Sequence, residues 1–260
     1  MDDCNNLCKS TSDCSLFSVT NNDILNQNAM KCHDKNHDMT WKDTSNNKEI
    51  PRQYNPYMNN EGSTLGFIGK DYMVLGADTR LSSGYSIVSR DSKKIFKLTD
   101  KVFLAAPGMY ADIINLVKNL RIRIELYRDN TKFDPSIENI AQLLSTTLYG
   151  KRFFPYYAFN ILGGINDKGE FKIYGYDAIG SFDCLEYASQ GSGKELIMPV
   201  LDSFLYDCEE KPDLETGEKL ALTALNSCAN RDIYTGDKAN LLFIFKDGRV
   251  EEKTFELRKD

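Results

Sequence analysis

The order of two kinds of apolar period constrains this chain most. Short apolar runs fill residues 63–106, and two stretches with three- and four-residue spacing follow. Short runs return over 158–188, two more helical stretches follow, and two short runs close the chain. Residues 63–68 (STLGFI) and 72–77 (YMVLGA) flank Gly69-Lys70-Asp71, which predicts a hairpin. Residues 85–90 and 93–98 alternate, and 101–106 (KVFLAA) stops at Pro107-Gly108. Residues 110–128 carry Ile113, Ile114, Val117, Leu120, Ile124 and Tyr127 as an amphipathic stripe. Asp134-Pro135 then reads as the N-cap and first position of a second helix, with Ile137, Ile140, Ala141, Leu144 and Leu148 on its apolar face. Further strands are predicted over 158–165, 171–176 and 182–188, with a turn at 166–169. Helices over 194–206 and 218–230 precede a closing hairpin, 240–245 and 250–257, around Lys246-Asp247-Gly248.

Helix pairs set between runs of antiparallel strands argue for an α+β fold rather than an alternating βαβ wind. Two stacked sheets with one helix pair on each outer side would bury all four apolar faces.

The first 52 residues read differently. They are rich in Asn, Asp, Lys, Ser and Thr, and their apolar residues keep no sustained period. Such a composition does not offset the entropy of ordering a chain. The expectation is a disordered, removable extension over 1–52 and a body over 53–260. Cys4, Cys8, Cys14, Cys32, His33 and His37 could be taken for a metal cluster, but their spacing matches no finger pattern. No metal and no cofactor is expected. The acidic start, MDDCNNLCKS, has no apolar region and argues against a secretory signal.

Charge and cysteine usage exclude further classes. The net charge is -6 and no Lys/Arg run exceeds two residues, so a nucleic-acid partner is not expected. No apolar stretch approaches the roughly 18 residues of a membrane helix. Seven cysteines, an odd number, with only Cys184, Cys208 and Cys228 in the body, do not form a disulfide framework. The simplest compartment is then a reducing one.

Histidine decides the chemistry. Both histidines lie in the extension, so the body can build neither a Ser/His/Asp or Cys/His triad nor a histidine-bearing zinc site. Any enzyme here must work without imidazole.

Gly62-Ser-Thr-Leu-Gly followed by Ala77-Asp78-Thr79-Arg80 resembles the opening of proteasome β subunits. Lys93-Lys94-Ile95, Ala106-Pro107-Gly108, Gln190-Gly191-Ser192-Gly193 and the run from Arg231 to Asp237 agree in order and spacing. The resemblance covers about 53–260. It implies a four-layer αββα sandwich, the N-terminal-nucleophile hydrolase fold. It also implies a seven-membered β ring, stacked between α rings and on the opposite β ring, in the cytoplasm and nucleus. The activity it implies for the complex is that of a threonine endopeptidase degrading unfolded and ubiquitin-marked proteins. Residues 53–57 (QYNPY), 150–157 (GKRFFPYY) and the ending LRKD narrow the resemblance to a non-catalytic member at the sixth ring position.

In such a protease the first residue supplies both the hydroxyl nucleophile and, through its free amine, the base. The resemblance assigns that position to Gly62, which has no side-chain oxygen. It assigns the surrounding roles to Asp78, Lys94, Gly108, Ser192, Asp232 and Thr235. Asp78 and Lys94 are then expected to persist as an ion pair, and Ser192 and Asp232 as loop ties. Ser63 or Thr64 could replace the nucleophile only poorly. One step along a strand turns Ser63 to the other face, away from Lys94. Two steps carry Thr64 about 6.8 Å further. The expected function is therefore a structural ring subunit. The alternatives are an active amidohydrolase using Ser63 or Thr64, and a free-standing binding module. Gly62 cannot cut its own chain, so processing by a neighbour near Arg52-Gln53 is expected. Arg152, Phe153, Phe154, Tyr156 and Tyr157 are candidates for a subunit interface, with core packing the alternative.

Overall fold

The computed structural model describes residues 40–42, 49–51, 55–206, 208 and 210–259. Two compact units divide at Pro56 and Tyr57. The first carries a two-stranded antiparallel ladder, β1 (Thr40–Lys42) on β2 (Glu49–Pro51), with Trp41 opposite Ile50. Three-residue strands are too short to leave a period in the sequence.

The second unit contains two five-stranded sheets whose ladders are all antiparallel. One sheet begins with the predicted hairpin, β3 (Ser63–Ile68) and β4 (Tyr72–Asp78). Between the sheets' first members lie a short pair, β5 (Leu81–Ser83) and β6 (Ser86–Ser89). The other sheet has β7 (Ile95–Lys97), β8 (Val102–Ala105), β9 (Ile161–Ile165), β10 (Phe171–Tyr176) and β11 (Phe182–Leu185), adjacent in that order. The first sheet is completed by β12 (Tyr187–Gly191), β13 (Lys238–Phe245) and β14 (Val250–Glu256), in the order β12-β3-β4-β13-β14.

Four helices cover the outer faces. Leu116 and Leu120 of α1 (Tyr110–Thr131) and Ile140 and Leu144 of α2 (Ile137–Tyr149) bury against Leu104 and Leu162 of the β7–β11 sheet. Ile197 and Leu201 of α3 (Lys194–Leu205), with Leu220 and Ala224 of α4 (Leu214–Ala229), bury against Leu65 and Phe243. A third cluster fills the space between the sheets, with Met73, Leu75 and Ile244 from one and Phe103, Ile161 and Ile173 from the other. The layers are αββα, as the helix pairs required.

Two local expectations need correction. The second helix is capped by Ser136, whose hydroxyl accepts from the Asn139 N–H at 3.3 Å. Asp134 is drawn instead to the Arg128 guanidinium at 2.6 Å. The run 182–188 is not one strand: β11 and β12 belong to different sheets, and the chain changes sheet at Glu186.

The start of α1 is capped from a distance. Met109 at the N-cap has no side-chain acceptor, and the Asn60 side-chain oxygen accepts from the Tyr110 N–H at 3.0 Å. The same side chain donates to the Ser82 carbonyl at 2.9 Å.

Candidate functional site

The β3–β4 hairpin sets the geometry. Asp78 ends β4 beside Gly62, which immediately precedes β3. Lys94, just before β7, reaches this junction, and its Nζ lies 2.6 Å from Asp78 Oδ1 and 2.7 Å from the Arg80 carbonyl. Both charged side chains are almost wholly buried, at 2% and 0% exposure. Burial pushes the Asp78 carboxyl up, and the Lys94 ammonium with the Ser63 and Gly236 N–H groups pulls it back. Those N–H groups lie 2.9 and 3.3 Å from the carboxylate. The expected ion pair at the strand junction is present.

Gly62 has φ +100, and a Cβ on it would overlap Lys94 Nζ. The lysine ammonium therefore occupies the volume into which a side chain at position 62 would project. Glu61 before it also has positive φ, at 47, an uncommon backbone for a residue with a side chain.

A second cluster joins the loops. Ser192 Oγ donates to Asp232 Oδ2 at 2.5 Å, and Thr235 Oγ1 donates to the same oxygen at 2.7 Å. Thr235 Oγ1 lies 2.6 Å from Ser63 Oγ, which accepts from the Gly193 N–H at 3.0 Å and meets the Cys228 thiol at 3.3 Å. Burial raises the Cys228 thiol pKa, so it stays protonated. The Ser192 N–H donates to the Gly62 carbonyl at 3.0 Å, linking the clusters. Ser63 thus faces the α3–α4 side, committed to three partners, as strand alternation required. Thr64 is buried, with its hydroxyl 3.5 Å from the Gln190 carbonyl.

Gly108, with φ +130, bridges to Ala158 and lines a cleft of about 430 Å³ with Glu61, Tyr157, Gly191 and Ser192. All seven positions singled out in the sequence, Gly62, Asp78, Lys94, Gly108, Ser192, Asp232 and Thr235, thus meet at one end of the sheets. The sequence reading missed Asn60, Cys228 and the buried pair of Arg80 with Asp237, whose Nε–Oδ2 distance is 2.9 Å. Asp237 closes the Thr-Gly-Asp run, the one local signal that could have marked it.

The interface candidates separate. Arg152, Phe153 and Phe154 are exposed. Tyr156 is not a surface residue: it is 7% exposed within the α1–α2 core, and its hydroxyl accepts from Asn119 Nδ2 at 3.3 Å. Tyr157 is half-buried, 5.8 Å from the Tyr57 ring and edge-on to Phe159 at 5.4 Å. Arg52 and Gln53, with Cys4, Cys8, Cys14, Cys32, His33 and His37, lie outside the described residues. Among the described residues, no group of three His, Cys, Asp or Glu side chains is arranged to hold a metal ion. No helix among them is long and apolar enough to cross a membrane.

Residues 58–244 match the proteasome subunit family. The chain is 43% identical over 217 residues to the proteasome subunit beta type-1 of Arabidopsis thaliana, covering 80% of this chain and 97% of that one. It is 45% identical to the beta type-1 subunit of Oryza sativa subsp. japonica, covering 78% and 96%. Against the beta type-1 subunit of Dictyostelium discoideum the identity is 42%, covering 80% and 91%.

Proposed function

Because this chain belongs to the proteasome subunit family, as a β subunit of the core particle, we propose that its part in that particle is structural rather than catalytic. It fills the type-1 position, sixth in a seven-membered β ring. There it contacts other β subunits, the α ring and the opposite β ring, and walls the chamber in which its neighbours hydrolyse proteins. Cytoplasm and nucleus are the proposed locations.

The observation that carries this reading is the state of position 62. Glycine offers no hydroxyl to attack a peptide carbonyl, and its nitrogen is held in a peptide bond to Glu61 rather than free to act as base. Lys94, which would favour the nucleophilic form electrostatically in a working site, instead fills the side-chain volume and pairs with Asp78. The engagement of Ser63 with Thr235, Gly193 and Cys228 argues against its use as a substitute.

The test is to assemble particles in which this subunit carries Lys94→Ala and assay each peptidase activity. All activities should be retained in those particles that assemble correctly. Loss of one from correctly assembled particles would mean that this chain has a working site.

A further inference from the structure

The loop after α2 presents chemistry that the site does not use. Phe153 is 95% exposed, and Phe154 and Tyr149 are also largely open to water. The Arg152 guanidinium lies 5.7 Å from the ring centres of both Tyr149 and Phe153. Its Nη1 donates to the Tyr149 hydroxyl at 3.2 Å. Neither Lys151 nor Arg152 meets a carboxylate among the described residues.

This loop is held in shape. The N–H groups of Lys151, Arg152 and Phe154 donate back to the carbonyls of Leu148, Tyr149 and Lys151, continuing the turn of α2. The Phe154 ring stacks on Tyr57 at 5.3 Å and 22°. Tyr57 is itself fixed, donating its hydroxyl to the Pro155 carbonyl at 2.8 Å. Rings that are ordered and still face water have already lost the entropy that binding would otherwise take from them.

We propose that Tyr149, Arg152, Phe153 and Phe154, braced by Tyr57, form an aromatic and basic knob that docks into an apolar, carboxylate-rimmed socket on a different subunit of the core particle. The proposal rests on the reading of this chain as a ring subunit. Charge selects the occupant. A two-fold contact between copies through this patch would set Lys151 and Arg152 against their own equivalents. Two cations with no carboxylate partner among the described residues, beside three rings, fit a partner with apolar depth and an acidic rim. Exposed aromatics beside an arginine are the residue types that carry most interface energy.

The experiment places a photo-crosslinking phenylalanine analogue at position 153 of the full chain and irradiates assembled particles. A crosslink to one other proteasome subunit, reduced about tenfold by Arg152→Glu and several-fold by Tyr57→Ala, is the expected result. A crosslink to a second copy of this chain, or no crosslink from assembled particles, overturns the knob. So does a crosslink that neither substitution changes. Failure of the unsubstituted chain to enter the particle at all would instead overturn the structural-subunit reading.

Discussion

The ammonium of Lys94 stands where a side chain on Gly62 would have to go. The two residues are 32 positions apart, yet each dictates what the other can be. A residue with a Cβ at 62 must displace the lysine, and at φ +100 it must also accept a backbone that only glycine adopts without strain. The lysine in turn keeps its position through Asp78.

The first prediction follows from that pair. Lys94→Ala leaves Asp78 buried without its cation and should cost the subunit about 3–5 kcal/mol. Adding Asp78→Asn to Lys94→Met removes both charges and should recover most of the loss. Urea denaturation of the purified chain measures both. Equal losses in the two variants would show that packing, not charge, holds the junction.

The second concerns the remote cap. Asn60→Ala removes the acceptor for the Tyr110 N–H and the tie to Ser82, and should cost about 1–2 kcal/mol. Hydrogen exchange should quicken in the first turn of α1. Asn60→Asp keeps the acceptor for Tyr110 but sets a carboxylate oxygen against the Ser82 carbonyl, so it should restore slow exchange only in part.

The third concerns maturation. The extension is expected to be cut near Arg52-Gln53 by a neighbouring active subunit, leaving residues from about 53 to 61 ahead of β3. Mass spectrometry of this subunit from intact particles reads the cut directly. A mass for all 260 residues would mean that the extension is kept. A mass beginning at Gly62 would mean self-processing without a hydroxyl.

The fourth is a pH dependence. Burial and the nearby Asp232 carboxylate raise the Glu61 pKa, with a hydrogen bond from Asn59 opposing them. The folded chain therefore holds this proton more tightly than the unfolded one. The stabilisation is complete below the unfolded value of about 4.3 and is lost as pH rises through the folded value. Glu61→Gln should flatten the fall in stability across that window. Urea midpoints at pH 4 and pH 7 will differ less in the variant than in the parent if Glu61 is responsible.

The layered architecture was legible because each helix keeps its apolar stripe and each hairpin its turn residues. The seven site positions were legible through motif order. What escaped the sequence has a common physical cause. Asn60 and Tyr110 are 50 residues apart, and Arg80 and Asp237 are 157 apart, so nothing in the local sequence of either joins it to its partner. Likewise an apolar and polar alternation looks the same whichever sheet it enters, which is why β11 and β12 read as one strand. Tyr156 shows the limit of a motif: its neighbours Phe153 and Phe154 face water, while it lies in the core.

Asp232 Oδ2 accepts from both Ser192 and Thr235, and through Thr235 the hydroxyl network reaches Ser63 on β3. This has an evolutionary consequence. If this chain's part in the particle is structural, as proposed, the residues of the site would ordinarily be free to drift, since no turnover would be left for selection to protect. Here Asp78, Lys94, Ser192, Asp232 and Thr235 each tie down a loop or a strand end, so losing one would loosen the fold whether or not any bond is cut. On the structural reading proposed above, selection on folding alone would keep the outline of a protease without proteolysis by this chain, and a search for activity guided by that outline would be misled.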